Sequence, residues 1–398
     1  MIEEQKAEVR IQGIKIVSCI FDGSGYGQGV RNYIRGLYSL GVPMWIQPIS
    51  FEQDRPDFTT TPFDKTKPEL GSIHDVLDAL CRTPRPFDVN LIRLSPEVAV
   101  KFIDPTSINI CHTAWETDRL DPHWTECCNK FNAIFVESEW AVGVFKNSGV
   151  TVPVYCVPNC EDVSDYKAKE KPGEGPYKFY SILQWTERKN GIGLLKAYYN
   201  AFTPEDDVLL VLKTYLTRVE QEQDQREVIA NHIKQLKESM NMIKPYPPVY
   251  LITEKLTDAE MVQMHEECDC YAMLDRGESW GIPYAAAAAA GNPIIATNWG
   301  GTRQFLNNTN SFPVDYQLTY VDNMLWSQFY RGFQKWAEPN LPHAAELMRY
   351  VFDNRADAFS IGQKARLDMA EKFNQDVVTK TLLGSIADVV ANTRGLKK

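Results

Sequence analysis

The stretch Asp275-Arg276-Gly277-Glu278-Ser279-Trp280-Gly281-Ile282-Pro283-Tyr284-Ala285-Ala286-Ala287-Ala288-Ala289-Ala290-Gly291-Asn292-Pro293-Ile294-Ile295-Ala296-Thr297 decides how the rest of the chain is read. It follows an apolar run, Cys268 to Leu274, of strand character. An acid then sits in a glycine-containing loop, a helix of small residues follows, and Gly-Asn-Pro breaks it before a second apolar run, Pro293 to Ala296. Strand, loop, helix and strand in that order form the unit of a parallel sheet covered by helices. An alanine helix can approach its neighbours closely and present its N-terminal amides to an anion. Another glycine loop, Asn298-Trp299-Gly300-Gly301-Thr302, comes after the second run.

The alternation extends in both directions. Upstream, strands are expected at Lys178 to Leu183, Val208 to Leu212 and Val249 to Ile252, with a long charged helix over Arg218 to Met240. In the first half they fall at Ile14 to Phe21, Met44 to Ile49, Asp88 to Leu94, Ser107 to Cys111, Ala133 to Val136 and Val152 to Val157. Helices are expected over Gln28 to Leu40 and Glu139 to Asn147, and a long loop over Ser50 to Gly71. Asp353 to Thr393 is helical in pattern. Lys167 to Pro176 is charged, rich in Pro and Gly, and without an apolar anchor, which suits a linker. The expected fold is therefore α/β, with two Rossmann-like, doubly wound parallel-sheet domains facing a central cleft. Ligands of such sheets bind beyond the C-terminal strand ends.

Composition narrows the function. With 44% hydrophobic and 24% charged residues the chain resembles an ordinary soluble globular protein. No run approaches a membrane span, and the acidic start Met1-Ile2-Glu3-Glu4 lacks a signal-peptide core, which suggests a cytoplasmic protein. A net charge of −10 argues against a dedicated nucleic-acid binder, though not against a local basic groove. The nine cysteines show no Cys-x-x-Cys spacing, and Cys19, Cys111, Cys268 and Cys270 read as buried thiols rather than metal ligands. No metal site is expected.

Four loops after strands carry chemistry. Gly23, Gly25, Gly27 and Gly29 alternate in the first, but the pattern is neither G-x-G-x-x-G nor a P-loop. His112 closes the second, at the end of an apolar strand; His74, His123, His232, His265 and His343 read as ordinary histidines. In the third, Arg188-Lys189 beside a helix start would clamp a diphosphate with two cations and backbone amides. The fourth is the opening stretch with Glu278.

Together, in this order, these pieces resemble a GT-B glycosyltransferase of the retaining family 4 type, over most of the chain. The resemblance rests on Gly29-Val30-Arg31-Asn32, His112, Arg188-Lys189-Asn190 and Glu278-Ser279-Trp280-Gly281-Ile282-Pro283. It implies sugar transfer from a nucleoside diphosphate sugar, a UDP- or GDP-sugar being favoured, to a glycan, lipid-linked or other hydroxyl, without metal or cofactor. His112, Glu278, Arg188 and Lys189 would be catalytic. The donor would be held by Gly27, Gly29, Arg188, Lys189, Glu278, Ser279, Trp280, Gly281, Ile282 and position 286. There the family has a second glutamate, seven residues on from the first, and this chain has Ala286. The departure suggests an inactivating Glu→Ala change or natural degeneracy, and the six alanines favour the former. Arginine is also missing from its usual place before the lysine, where Leu183 and Gln184 stand. Residues 1–166 would form the acceptor side and 177–375 the donor domain, with a helix of about 376–398 packing back on the first. Alternatives are a glycosyltransferase of modified DNA bases, a non-catalytic sugar-nucleotide-binding protein, or an epimerase or phosphorylase of this fold.

Overall fold

The computed structural model describes residues 11–50, 61–64, 67–216, 222–324 and 327–395, the side chains of 222–224 excepted. The start of the chain, most of the expected loop between 50 and 67, the first residues of the expected charged helix and the last three residues of the expected terminal helix lie outside the described residues. The chain divides into two compact units. The first comprises Met1–Ala114, Leu120–Cys160 and Gln375–Lys398, the second Trp115–Arg119 and Glu161–Asn374.

In the first unit, strands β1 (Ile14–Ser18), β2 (Met44–Pro48), β3 (Val89–Arg93), β4 (Ile108–His112), β5 (Ala133–Val136) and β6 (Val154–Cys156) form one parallel sheet in the order β2-β1-β3-β4-β5-β6. Helices α1 (Gly25–Ser39), α2 (Ile73–Arg82), α3 (Pro96–Ala99), α4 (Pro122–Cys128) and α5 (Glu139–Asn147) connect them. Side chains set the helix starts: Ser24 caps α1, Ser72 and Asp75 form a capping box on α2, and Asp121 and Ser138 cap α4 and α5.

The second unit repeats the plan with β7 (Tyr177–Gln184), α6 (Gly191–Ala201), β8 (Val208–Tyr215), α7 (Glu222–Met240), β9 (Val249–Ile252), α8 (Asp258–Glu267), β10 (Cys270–Met273), α9 (Ile282–Ala289), β11 (Ile294–Thr297) and β12 (Phe312–Val314). Its parallel sheet runs β12-β11-β10-β7-β8-β9. An antiparallel hairpin of β13 (Tyr316–Tyr320) and β14 (Lys335–Pro339) follows, then α10 (Leu341–Asp353) and α11 (Arg355–Lys372). The last helix, α12 (Gln375–Thr393), belongs to the first unit, where Val378, Leu382, Ile386, Val389 and Val390 join the core of Ile34 and Leu37. A Cβ at Gly36 would lie 1.9 Å from Thr379 Oγ1, so α1 and α12 pack at glycine distance.

The α/β class and the parallel sheets agree with the sequence. Three local expectations change. The helix after β1 begins at Gly25 rather than Gln28, because Ser24 Oγ accepts the Gly27 amide (3.2 Å). The helical pattern from 353 to 393 is broken at Asn354 and at Phe373–Asn374. β12 and the β13–β14 hairpin were not expected at all.

Candidate functional site

In the second unit the loops after β7 and β10 are stitched together. Asn190, in left-handed conformation (φ 51°), caps α6 through Gly193 and donates Nδ2 to Leu274 O (2.8 Å). The Arg276 amide donates to Arg188 O (2.7 Å), and its guanidinium donates to Glu187 O (2.5 Å). Arg276 is itself held by Glu338 of β14. This framework fixes the backbone of the Arg188-Lys189 corner against Glu278.

Both cations converge on one carboxylate oxygen. Arg188 Nη1 donates to Glu278 Oε1 (2.6 Å) and to Gly277 O (2.6 Å), and Lys189 Nζ contacts the same Oε1. Arg188 and Glu278 are each 7% exposed. Burial alone would raise the Glu278 carboxyl, but Lys189 and Arg188 outweigh it and hold it below the usual range. Asp275, three residues earlier and fully buried, goes the other way. Burial and the charge of Glu278 raise it, although Tyr284 donates its hydroxyl to the carboxylate. The two acids thus share one loop while their pKa values are pushed in opposite directions. The sequence motif singled out Glu278 and passed over Asp275; in the structure the two differ in which acid meets the cations.

Tight backbone approaches shape the rest of this site. Gly301 donates to Glu278 O (2.7 Å), and a Cβ on it would lie 1.6 Å from Ser279 O. Gly281, at φ 84°, caps α9, whose first residue is Ile282. Ser279 is buried, and its Oγ has no hydrogen-bond partner among the described residues. Trp280 packs against Phe305 (4.7 Å) and Phe373 (5.3 Å). Ala286 is buried in an apolar patch with Tyr166, Ala289 and Ala290, and the Tyr166 hydroxyl is bound to Glu161 (2.7 Å).

His112 lies in the other unit, at the end of β4 and without solvent exposure. Its ring stacks on Tyr33 (5.2 Å, 28°), and Arg93 Nη1 lies 2.9 Å from each ring nitrogen. Burial and the Arg93 charge push its pKa well below the ordinary value, so the ring is neutral. Arg93 also donates to Glu137 (2.7 Å) and Asn159 (3.0 Å), and Asn159 donates to Glu137 (2.9 Å). These four buried groups sit at or just beyond the C-terminal ends of β3 to β6. Arg93, Glu137 and Asn159 were missed, although a charged residue inside the apolar run Val89 to Leu94 was a visible signal. Gly27 and Gly29, expected in a loop, lie in the first turns of α1. A Cβ on Gly29 would come within 2.5 Å of both Arg93 and Asn159.

The nine cysteines are free thiols. Cys19, Cys111, Cys268 and Cys270 are all buried. Among the described residues no group of His, Cys, Asp and Glu could hold a metal ion, and no helix is long and apolar enough to cross a membrane.

No family model matches the chain, and no curated protein matches it. Solved structures do. A sucrose-phosphate synthase from Thermosynechococcus elongatus superimposes with a TM-score of 0.69 at 13% identity, over 96% of this chain and 100% of that one. Anabaena HepE, crystallised with UDP and glucose, gives 0.62 at 12% identity, over 95% and 100%. The N-terminal domain of a Candida albicans trehalose-6-phosphate phosphatase gives 0.60 at 10% identity, over 97% and 98%. At these identities the likeness establishes the fold, which is GT-B: two Rossmann-like units, each with its own parallel sheet.

Proposed function

We propose that this protein is a retaining, metal-independent glycosyltransferase of the family 4 type that moves a sugar from a nucleoside diphosphate sugar to a hydroxyl acceptor. One observation carries the reading: Arg188 and Lys189 meet at a single buried carboxylate, Glu278, just before the start of α9. Two cations and a helix N-terminus form an electrostatic site for a diphosphate. The similar HepE structure, which holds UDP and glucose, supports a UDP-sugar as donor. The chain would act in the cytoplasm on a glycan or other hydroxyl.

In this mechanism Arg188 and Lys189 stabilise the charge that develops on the departing diphosphate. Each such preorganised donor is worth about 10²–10³ in rate. Glu278, released from the cations by the phosphates, holds the sugar hydroxyls. The unpartnered Ser279 Oγ and the backbone at Gly281 and Ile282 complete the diphosphate side. We assign residues 177–375 to the donor side and 1–166, apart from the segments Trp115–Arg119 and 161–166 that belong to the second unit, to the acceptor side. There Gly27 and Gly29 border the acceptor, and neutral His112 hydrogen-bonds the donor sugar near the reacting carbon.

A second reading, a non-catalytic sugar-nucleotide-binding protein, is favoured by Ala286, which offers no polar side-chain atom to a ribose. Calorimetric titration of UDP, GDP and ADP, followed by product release from the corresponding sugar nucleotides, separates the two. We expect one nucleotide to bind and its sugar conjugate to be turned over. Binding without turnover toward any hydroxyl acceptor supports the second reading, and no binding removes both.

A further inference from the structure

Five residues of the chain leave the first unit and belong to the second. After His112, Thr113 and Ala114 the segment Trp115–Arg119 joins the second unit, and Leu120 resumes the first. The segment is firmly seated. Asp118 donates its amide to Lys335 O (3.0 Å) and accepts the Lys335 amide on Oδ1 (2.6 Å). The Trp115 ring stacks on Tyr330 at 4.9 Å and 27°. A Cβ at Gly277 would lie 2.0 Å from Glu116 O, so the glycine lets the segment lie against the Glu278 loop.

This seating aims Glu116 at Arg188. Its Oε2 accepts the Tyr330 hydroxyl (2.6 Å), and its Oε1 lies 3.6 Å from Arg188 Nη2. The latter distance is an ion pair rather than a hydrogen bond. Glu278 takes the opposite arm of the same guanidinium, Nη1. Arg188 is therefore held between two carboxylates, of which only Glu278 is asked to turn to the sugar.

We propose that Glu116, fixed by Tyr330, is a positioning residue that keeps Arg188 aimed at the departing diphosphate when Glu278 lets go. The inference rests on the donor-site reading above. A guanidinium stabilises developing charge only if its orientation is set in advance. Once Glu278 engages the sugar, Glu116 is the carboxylate left on Arg188. Its charge opposes an incoming anion, so it costs donor affinity. A group retained for packing alone would gain nothing from that charge. Burial opposes the charge of Arg188, and the Glu116 and Glu278 carboxylates outweigh it.

The opposed effects make the test specific. UDP affinity by calorimetry, UDP release from UDP-glucose and thermal melting are measured for the unmodified chain, Glu116→Gln and Tyr330→Phe. Glu116→Gln keeps an acceptor for the tyrosine but removes the charge. We expect its kcat to fall at least tenfold while UDP binds as tightly or more tightly, and Tyr330→Phe to follow with a smaller drop. Unchanged kcat in Glu116→Gln overturns the inference. So does a loss of UDP affinity in step with a lowered melting temperature, which marks a merely structural contact. If the unmodified chain binds UDP but releases none from UDP-glucose, the positioning role falls while nucleotide binding stands. Should GDP or ADP bind in place of UDP, the same measurements use that nucleotide and its glucose conjugate; if none of the three binds, the donor-site reading falls and takes the inference with it.

Discussion

The two units bury comparable clusters of charge at the C-terminal ends of parallel strands, and the clusters are wired differently. In the first unit one cation, Arg93, is shared among Glu137, Asn159 and His112, and Asn159 closes the ring by bonding Glu137. In the second, two cations crowd one oxygen of one carboxylate, with a second acid, Asp275, raised beside them. A closed network loses stability when a member is removed, because a buried charge is left without its partner. Two cations on one carboxylate can exchange that carboxylate for a phosphate at little cost. The first arrangement is built to hold a shape and the second to trade a partner.

The sharpest way to break this contrast is to remove the cations. Replacing Arg188 and Lys189 together with methionine should lower sugar transfer by on the order of 10³-fold or more, from two lost electrostatic donors, and abolish UDP binding. Replacing Arg93 with methionine should instead cost about 3–5 kcal/mol of stability, because it strands the buried Glu137 carboxylate. Melting curves and UDP titrations on the same samples check both. The double replacement also strands the buried Glu278 carboxylate, so stability falls in both cases; UDP binding retained without Arg188 and Lys189 would dissolve the distinction.

Two buried histidines extend the comparison. His265 in the second unit is bound to Tyr180 (2.7 Å), and burial with the Lys169 charge pushes its pKa down to about 3. The unfolded chain therefore takes up a proton near pH 6.5 that the folded unit refuses until about pH 3. This contribution is full above pH 6.5 and shrinks as pH falls, by about 2 kcal/mol between pH 7 and pH 5. His265→Phe should flatten that part of the stability profile, measured by urea unfolding at several pH values. His112 should still weaken the first unit in acid. The smallest effect is expected at Ser279. Its Oγ has no partner among the described residues, so Ser279→Ala should change stability by less than about 0.5 kcal/mol yet weaken UDP binding several-fold.

Sequence patterning revealed more of the scaffold than of the site. The buried strands announced themselves as apolar runs because both faces of a parallel sheet are covered. The β13–β14 hairpin did not. Tyr316, Leu318 and Tyr320 are exposed, so no core-facing alternation marks β13, and its partner lies beyond a long connection. The glycines of α1 misled for a related reason. Each costs a helix about 1 kcal/mol, which favours a loop, but Gly29 is there for the close approach of Arg93 and Asn159. At the site, Arg188, Lys189 and Glu278 were legible because they flank strand ends in sequence. Glu116, Tyr330, Glu137 and Asn159 were not, because only tertiary packing brings them to their partners across long chain separations.

The placement of α12 bears on the order in which the protein is made. The first unit needs residues from the far end of the chain: Thr379 lies against Gly36, and Gln375 donates to Asn32 O (2.8 Å). On a ribosome the sheet of the second unit, with all its strands between Tyr177 and Val314, can close before α12 emerges. The N-terminal sheet, synthesised first, must wait with the α1 face that carries Ile34 and Leu37 uncovered. Synthesis thus runs from the N-terminus while completion runs the other way, and the waiting sheet is the stage at which a chaperone or a protease would find this chain.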